Sequence, residues 1–211
     1  MVTDRTILFL IIWASFLLEG CPLKGLTPCK SRDGYNFEAS AKFNPCLSLH
    51  GIGDTLWFEG EIPFKSYDVN IKDTVDYSLA KYMGTLIYLF RIDSTLDNDP
   101  IHSAQDFHYF SMLGREYADE KQPNWIRQIQ CETDDKNYIF KIGIIPQKKG
   151  VYALFIANAV NVERGIEGNC DRANYAINLD NDSTNLHLYE QYLGYSVQQE
   201  YAKQGYCFSV K

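Results

Sequence analysis

Two carboxylates have the type and spacing that acid–base chemistry on a sugar would need. Glu59 and Glu61 are two residues apart on a predicted strand, so both side chains point to one face about 7 Å apart. Glycoside hydrolysis uses two carboxyl groups at comparable separations. Solvated charges on the outer face of a strand are the alternative interpretation.

Two other segments contain metal-ligating residue types. His102, Asp106 and His108 lie close in sequence, but spacings of four and six do not place all three on one face of a helix or strand. An ordinary polar loop explains them, and we assign no metal ligand and no cofactor to the chain.

The segment NLDNDSTN places oxygen-bearing side chains at alternate positions, namely Asp180, Asp182 and Thr184. An EF-hand is excluded because Asn185 stands where the loop needs glycine. An irregular surface calcium site and a turn that leads into a helix both stay open. Asn181 begins an N-x-S sequence, which is the acceptor pattern for N-glycosylation in a eukaryotic host.

Two tryptophans are candidate binding residues. Trp57 alternates with Glu59 and Glu61, opposite Leu56 and Phe58, so we expect it to face solvent. Trp125 follows a Pro-Asn pair on a predicted loop. Because aromatic residues are enriched at recognition surfaces, the two could form one binding patch; packing within the strands is the simpler alternative.

No catalytic motif is present, and we assign no catalytic residue. The chain lacks G-x-S-x-G, a phosphate-binding glycine loop and H-E-x-x-H. Its 211 residues are 45% apolar and 22% charged, which is the balance of a single globular domain. The net charge of −7 and the lack of a basic patch argue against nucleic-acid binding.

The first residues predict export. Residues 6–18 form an apolar run that is too short to span a bilayer and is typical of a signal peptide. The run ends at Leu18-Glu19-Gly20-Cys21, the pattern of a bacterial lipobox apart from Glu19. We therefore predict a signal peptide over 1–20 and membrane anchoring through a lipid on Cys21. Cleavage after Gly20 by the ordinary signal peptidase is the alternative, and no later stretch is long and apolar enough to span a membrane.

An exported chain can form disulfides. The six cysteines are Cys21, Cys29, Cys46, Cys131, Cys170 and Cys207, and none has the C-x-x-C spacing of zinc or thioredoxin-type sites. Cys29 and Cys46 are close in sequence, which suggests a disulfide between them. Cys170 and Cys207 stand at the two ends of one long segment of the chain, which suggests a second disulfide. If Cys21 carries lipid, five cysteines remain and one lacks a partner within the chain.

Period-two alternation of apolar residues dominates the rest of the chain. After a Pro/Gly-rich tether over 21–34, strands are predicted at 35–43, 56–62, 85–92, 107–113, 126–131, 138–144, 151–157 and 206–210. Residues 73–84 are ambiguous and could form a short helix; residues 158–185 resemble a loop. Leu186, Tyr189 and Leu193 have helical spacing after a Ser183 or Thr184 cap. The predicted fold is all-β: an antiparallel immunoglobulin-like β-sandwich of about seven or eight strands with short helical insertions, over 35–211.

Two segments resemble known families. IGDTLWFEGEIP (52–63) resembles the second strand of immunoglobulin-like domains in bacterial surface proteins, and KGVYALFI (149–156) resembles a strand start of immunoglobulin-type sandwiches. The latter resemblance implies that the Tyr152 hydroxyl caps nearby backbone. Leu154 stands where that pattern has a cysteine, so the usual inter-sheet disulfide is absent or moved.

Residues 34–63, the strand near 151 and the final YCFSVK also resemble a group of uncharacterised exported or lipid-anchored proteins of Gram-negative bacteria. The resemblance covers about a third of the chain. It implies fold and location and carries over no catalytic residue.

Three functions remain open. The first is an exported, envelope-associated protein with a binding or structural role and a protein or glycan partner. The second is a secreted carbohydrate-active hydrolase or its carbohydrate-binding accessory; a concave Trp/Tyr groove beside a carboxylate pair would favour it. The third is a subunit that completes its sheet with a partner strand.

Overall fold

The computed structural model describes residues 34–96 and 99–211. The predicted signal peptide, Cys21, Cys29 and nearly all of the predicted tether lie outside these residues. Export and lipidation therefore stay predictions.

The described residues form sixteen strands and two short helices. The strands are β1 (Gly34–Asn44), β2 (Leu49–His50), β3 (Leu56–Pro63), β4 (Lys65–Asp68), β5 (Asp73–Asp76), β6 (Gly84–Leu96), β7 (Asp99–His102), β8 (Phe107–Leu113), β9 (Arg115–Ala118), β10 (Ile126–Gln130), β11 (Glu132–Thr133), β12 (Asn137–Pro146), β13 (Gly150–Ile156), β14 (Ala159–Glu163), β15 (Arg172–Leu179) and β16 (Gly205–Val210). The helices are a 3-10 turn (Ala104–Asp106) and α1 (His187–Leu193).

Two seven-stranded sheets pack face to face. The first sheet has the order β11-β12-β3-β1-β15-β14, and β8 also pairs with β12. The second sheet has the order β2-β16-β13-β6-β10-β9, and β7 also pairs with β6. Strands β4 and β5 form a separate hairpin. The prediction of an all-β sandwich is confirmed.

The core lies between the sheets because each sheet turns one apolar face inward. Along β1 every second residue is buried, as the alternation predicted. Phe43 of β1 stacks on Phe58 of β3 and on Tyr206 of the opposite sheet, with ring centroids 4.8 Å apart in both pairs. These contacts join the two sheets at the centre of the domain.

The topology departs from the prediction in strand number and direction. Twice the expected number of strands is present, and β1 pairs with β15 and β2 with β16 in parallel. The loop predicted over 158–185 is wrong, because it contains β14 and the core strand β15. Its inward residues Ala173, Tyr175 and Ile177 have period two, and its outward residues are polar except for Ala176. Residues 73–84 form β5 and a turn instead of a helix.

A second apolar cluster lies on the outer face of the second sheet, under α1. The helix predicted from Leu186, Tyr189 and Leu193 is confirmed, and it ends at Gly194 in the left-handed conformation (φ 76°). The predicted side-chain cap is absent, since Ser183 hydrogen bonds within its own loop. In the described ranges, no helix is long and apolar enough to cross a membrane.

Tyr152 adopts the role that the immunoglobulin resemblance implied. Its hydroxyl donates to the Lys148 carbonyl at 3.1 Å, four residues upstream, and also contacts Asp106 Oδ2 at 3.4 Å. Lys148 pairs with the same carboxylate at 2.6 Å. The contacts fix the turn before β13 against the 3-10 turn.

Both predicted disulfide pairings are wrong. Cys46 and Cys207 have free thiols, as does Cys131, so neither Cys29–Cys46 nor Cys170–Cys207 forms. Cys207 faces away from the main core into the cluster under α1, whereas the Cys46 thiol donates to the Ser183 carbonyl at 2.7 Å. Cys170 is disulfide-bonded.

Candidate functional site

An aromatic cleft of about 680 Å³ lies on the outer face of the second sheet. Its floor is formed by Tyr88 and Phe90 of β6 and Phe155 of β13. Tyr88 and Phe90 face outward because they alternate with the core residues Ile87 and Leu89, and Phe155 does so because it lies between the buried residues Leu154 and Ile156. Strand β6 is therefore apolar on both faces, which is why its sequence showed no polar side.

Trp125 forms one wall of the cleft. Its ring centroid lies 5.7 Å from that of Tyr88 and 6.4 Å from that of Phe90. His102 stacks flat on its outer side, with centroids 4.4 Å apart and planes 3° apart. The Trp125 carbonyl accepts the Leu89 amide at 3.2 Å, which fixes the residue against β6.

The indole Nε1 of Trp125 is shielded from solvent and has no hydrogen-bond partner in the described part of the protein. An unpaired buried donor costs free energy.

The other wall comes from α1 and the chain that follows it. Tyr189 packs edge-on against Phe155 and Tyr195, with centroid distances of 5.7 Å in both pairs. The left-handed turn at Gly194 folds Tyr195 back against the helix. Burial, followed by the hydrogen bond with Tyr195, raises the pKa of Tyr189, so its hydroxyl stays protonated.

Two side-chain amides supply polar groups inside the cleft. Gln204 Nε2 donates to Asn158 Oδ1 and, at 3.1 Å, to the Ile177 carbonyl. Asn158 Oδ1 also accepts the Ile177 amide at 3.2 Å. These bonds hold both amides in fixed orientations, and Asn158 remains exposed to a ligand.

The residues that line the cleft carry no charge. The lining residues not yet described are Ile156, Ala157, Ser196, Val197, a third amide (Gln198) and a further aromatic ring (Tyr201). Transfer of a charged group into such a site would be costly. The arrangement suits an uncharged ligand with flat apolar faces and hydroxyl or amide groups.

The predicted Trp57–Trp125 patch does not form, because Trp57 lies on the outer face of the first sheet. Its ring packs edge-on against Phe110 at 5.1 Å, and the Lys141 ammonium lies 5.1 Å from its centroid. Trp125 belongs to the second sheet. Only Trp125 contributes to the cleft.

The predicted carboxylate pair also lies on the first sheet. Glu59 forms ion pairs with Lys141 at 2.9 Å and Lys42 at 3.4 Å. Burial alone would raise the pKa of Glu59, but hydrogen bonds and charges from the two lysines outweigh it and the pKa is lowered. Glu59 is therefore a poor proton donor, and Glu61 is exposed.

The other sequence candidates are dispersed. His102 contacts Trp125, Asp106 contacts Lys148, and His108 is exposed on β8. Asp180 and Asp182 are both exposed. Among the described residues no group of three or more His, Cys, Asp or Glu side chains could hold a metal ion.

Sequence reasoning identified Trp125 and missed the rest of the cleft. One feature of the sequence could have indicated the cleft. Strand β6 is apolar on both faces, so other residues must pack against each face. The aromatic residues after 186 could supply that cover, but nothing local connects residues 88 and 195.

The chain matches no protein-family model and no curated protein sequence. It is similar to the solved reeler domain of human F-spondin, with 10% identity and a TM-score of 0.38 over 88% of this chain and 95% of that chain. A structure of the Reelin-N domain of F-spondin has 11% identity and a TM-score of 0.38, covering 85% and 90%. A cohesin module from a Clostridium perfringens family 33 glycoside hydrolase has 11% identity and a TM-score of 0.31, covering 68% and 99%. Likenesses this distant carry no argument about a ligand.

Proposed function

We propose that this protein is an exported, envelope-anchored β-sandwich protein that binds a neutral glycan in the aromatic cleft without reacting with it. The observation that carries the proposal is the composition of the cleft. Aromatic rings stand on its floor and both walls, oriented amides lie between them, and none of its lining residues is charged.

A neutral glycan fits each of these features. The C–H faces of a sugar ring are apolar and can cover an aromatic ring, while its hydroxyls both donate and accept hydrogen bonds. The amides of Asn158 and Gln204 offer both kinds of group.

The hydrolase alternative has less support. Hydrolysis by the usual route needs two carboxyl groups beside the scissile bond, and the residues lining the cleft include none. Glu59 and Glu61 lie on the other sheet. The carbohydrate-binding half of that alternative is the part retained in the proposal.

Export and anchoring are supported by the sequence before residue 34. The apolar run over 6–18 and the lipobox-like residues that end at Cys21 are the basis. Intact masses of membrane and soluble fractions from a Gram-negative host, with and without a signal peptidase II inhibitor, test this part. An acylated chain that begins at Cys21 supports it; a soluble chain with an unmodified Cys21 contradicts anchoring.

Isothermal titration calorimetry tests the binding site, because its signal does not depend on the two tryptophans, Trp57 and Trp125, that follow the predicted signal peptide and are replaced in the variants. The probes are cellohexaose, xylohexaose and maltohexaose, with an oligogalacturonate as the charged counterpart. We expect at least one neutral oligosaccharide to bind and the charged one not to bind. Trp125→Ala should weaken binding about tenfold or more, which corresponds to about 1.4 kcal/mol.

Trp57→Ala is the matched control, because it removes the same side chain from the other sheet and should leave the dissociation constant unchanged. Equal weakening by both variants, or no binding of any neutral probe, contradicts the assignment of the cleft. Release of new reducing ends from a bound probe would favour the hydrolase.

A further inference from the structure

A second surface of the molecule exposes apolar side chains without a cover. Six large residues, which we call the apolar patch, lie at the end of the sandwich where β1 begins: Tyr67, Val69, Ile71, Leu79, Tyr82 and Ile166. Val69 is 60% exposed, Leu79 62% and Tyr82 86%. Soluble domains seldom group exposed apolar residues in this way unless the surface contacts something.

Buried polar contacts bring the hairpin β4–β5 to this end. The Asp68 carboxylate, itself fully buried, accepts the Asn36 amide of β1 at 2.6 Å. It also accepts the amides of Asn70 and Ile71, at 2.7 and 3.1 Å, which shapes the turn between the strands. Val69 and Ile71 are therefore held close to the first residues of β1.

The segment after the hairpin is held at the same end. Arg164 donates to the Asp76 carbonyl at 3.1 Å, and the Lys81 amide donates to the Glu163 carbonyl at 3.4 Å. Gly165 leaves no room for a side chain against the Leu79 carbonyl. The loop bearing Ile166 and the loop bearing Leu79 and Tyr82 thus pack together beside the start of β15.

The backbone holds an aromatic side chain outward here at an energetic cost. Tyr82 has φ 59°, a left-handed conformation that bulky residues rarely adopt. Such strain persists where the surroundings impose it and is concentrated at functional positions. Lys72 and Lys81 flank Ile71 and Tyr82 in sequence, and their ammonium groups suit the phosphates of lipid headgroups.

We propose that the apolar patch rests on the lipid bilayer to which the protein is tethered. The inference depends on the proposed anchoring at Cys21, and the position of the anchor indicates the occupant. Cys21 precedes Gly34 by 13 residues, and a stretch of that length spans at most about 45 Å. β1 has 11 residues and therefore extends about 35 Å from Gly34. The other end of the sandwich is farther from the anchor by about that distance. The end that carries the patch is thus the end an anchored molecule presents to the membrane.

Lipid-quenched fluorescence at the two ends of the sandwich tests the proposal. The full mature chain, with an N-terminal hexahistidine tag, is held on vesicles of phosphatidylethanolamine and phosphatidylglycerol that contain nickel-chelating lipid. This tether does not depend on acylation. Tyr82→Trp reports on the patch, and Leu47→Trp is the matched control, because Leu47 is 50% exposed and follows the far end of β1.

We expect brominated lipid to quench the added emission of Tyr82→Trp by about half, because a side chain inserted about 5–10 Å into the headgroup region contacts the bromines. The added emission of Leu47→Trp should not change. Adding Val69→Glu and Ile71→Glu to Tyr82→Trp should remove the quenching. If that variant does not fold, the comparison of quenching between Tyr82→Trp and Leu47→Trp still tests the proposal.

Equal quenching at both positions, or none at either, overturns the proposal. So does a dimer of the untethered chain in sedimentation that Tyr82→Glu dissociates, because a second copy would then be the occupant. The intact mass of the chain shows separately whether Cys21 is acylated. Quenching with an unmodified Cys21 would support the patch and refute anchoring, whereas an acylated chain without quenching would do the reverse.

Discussion

Asn181 is expected to contribute about 2–4 kcal/mol to the free energy of unfolding. Its side chain pairs with both backbone groups of Phe43: Oδ1 accepts the amide at 3.0 Å, and Nδ2 donates to the carbonyl at 2.7 Å. The residue follows β15 at the point where the parallel ladder with β1 ends. Asn181→Ala would remove two bonds worth about 1 kcal/mol each and leave two partly buried groups unpaired, at about 1 kcal/mol or more apiece.

Urea unfolding followed by tryptophan fluorescence measures this loss as a lower midpoint with an unchanged m-value. Asn174→Ala of β15 is the comparison: its exposed side chain accepts the Asn161 amide at 3.1 Å and donates to Asn36 Oδ1 at 3.4 Å, and losing these exposed bonds should cost less than about 1 kcal/mol. Asn181→Asp should lose nearly as much as the alanine variant, because a carboxylate oxygen would face the Phe43 carbonyl. A loss below about 0.5 kcal/mol for Asn181→Ala would refute the reasoning.

Three further predictions concern thiols, acid and the turn before β13. Iodoacetamide should modify Cys46 in the folded protein well before Cys131 and Cys207, because burial raises the pKa of each of these two thiols to about 12; equal rates by peptide mass mapping would contradict this. Burial tends to raise the pKa of Asp68, but three backbone amides outweigh it and the pKa is lowered. Its stabilisation should therefore be lost as the pH falls below about 4, and Asp68→Asn should flatten the acid limb of the stability profile. Tyr152→Phe should cost about 1 kcal/mol in urea unfolding through the lost hydroxyl bond, and no loss would mean that the bond contributes nothing.

The strands with one polar face were predictable from sequence. In β1 and β3 the alternation of apolar and polar residues matches the buried and exposed positions. β15 has the same alternation, but its outward asparagines and its Asn/Asp/Gly-rich surroundings concealed it. Its parallel pairing with β1 joins Gly34 to Arg172, and no local pattern indicates a partner so distant in sequence.

The candidate site was less accessible to sequence reasoning for a related reason. Trp57 and Trp125 were singled out by residue type, yet only the topology decides that they belong to different sheets. The residues that line the cleft come from positions between Tyr88 and Gln204. Helix α1 packs over β6, a strand that precedes it by about a hundred residues in the sequence. The two predicted disulfides were wrong because strands pair across the whole domain. Cysteines that are close in sequence are then often far apart in space.

The position of β16 also fixes the order in which the chain can acquire its structure. This strand lies inside the second sheet, between β13 and β2, and Tyr206 stacks on Phe43. The second sheet cannot be completed until residue 210 has been synthesised, and the pairing of β1 within the first sheet must wait for β15, which ends at Leu179. Both sheets therefore depend on contacts that form late in synthesis. If the chain is exported as proposed, this order of assembly would help it to remain unfolded until it has crossed the membrane.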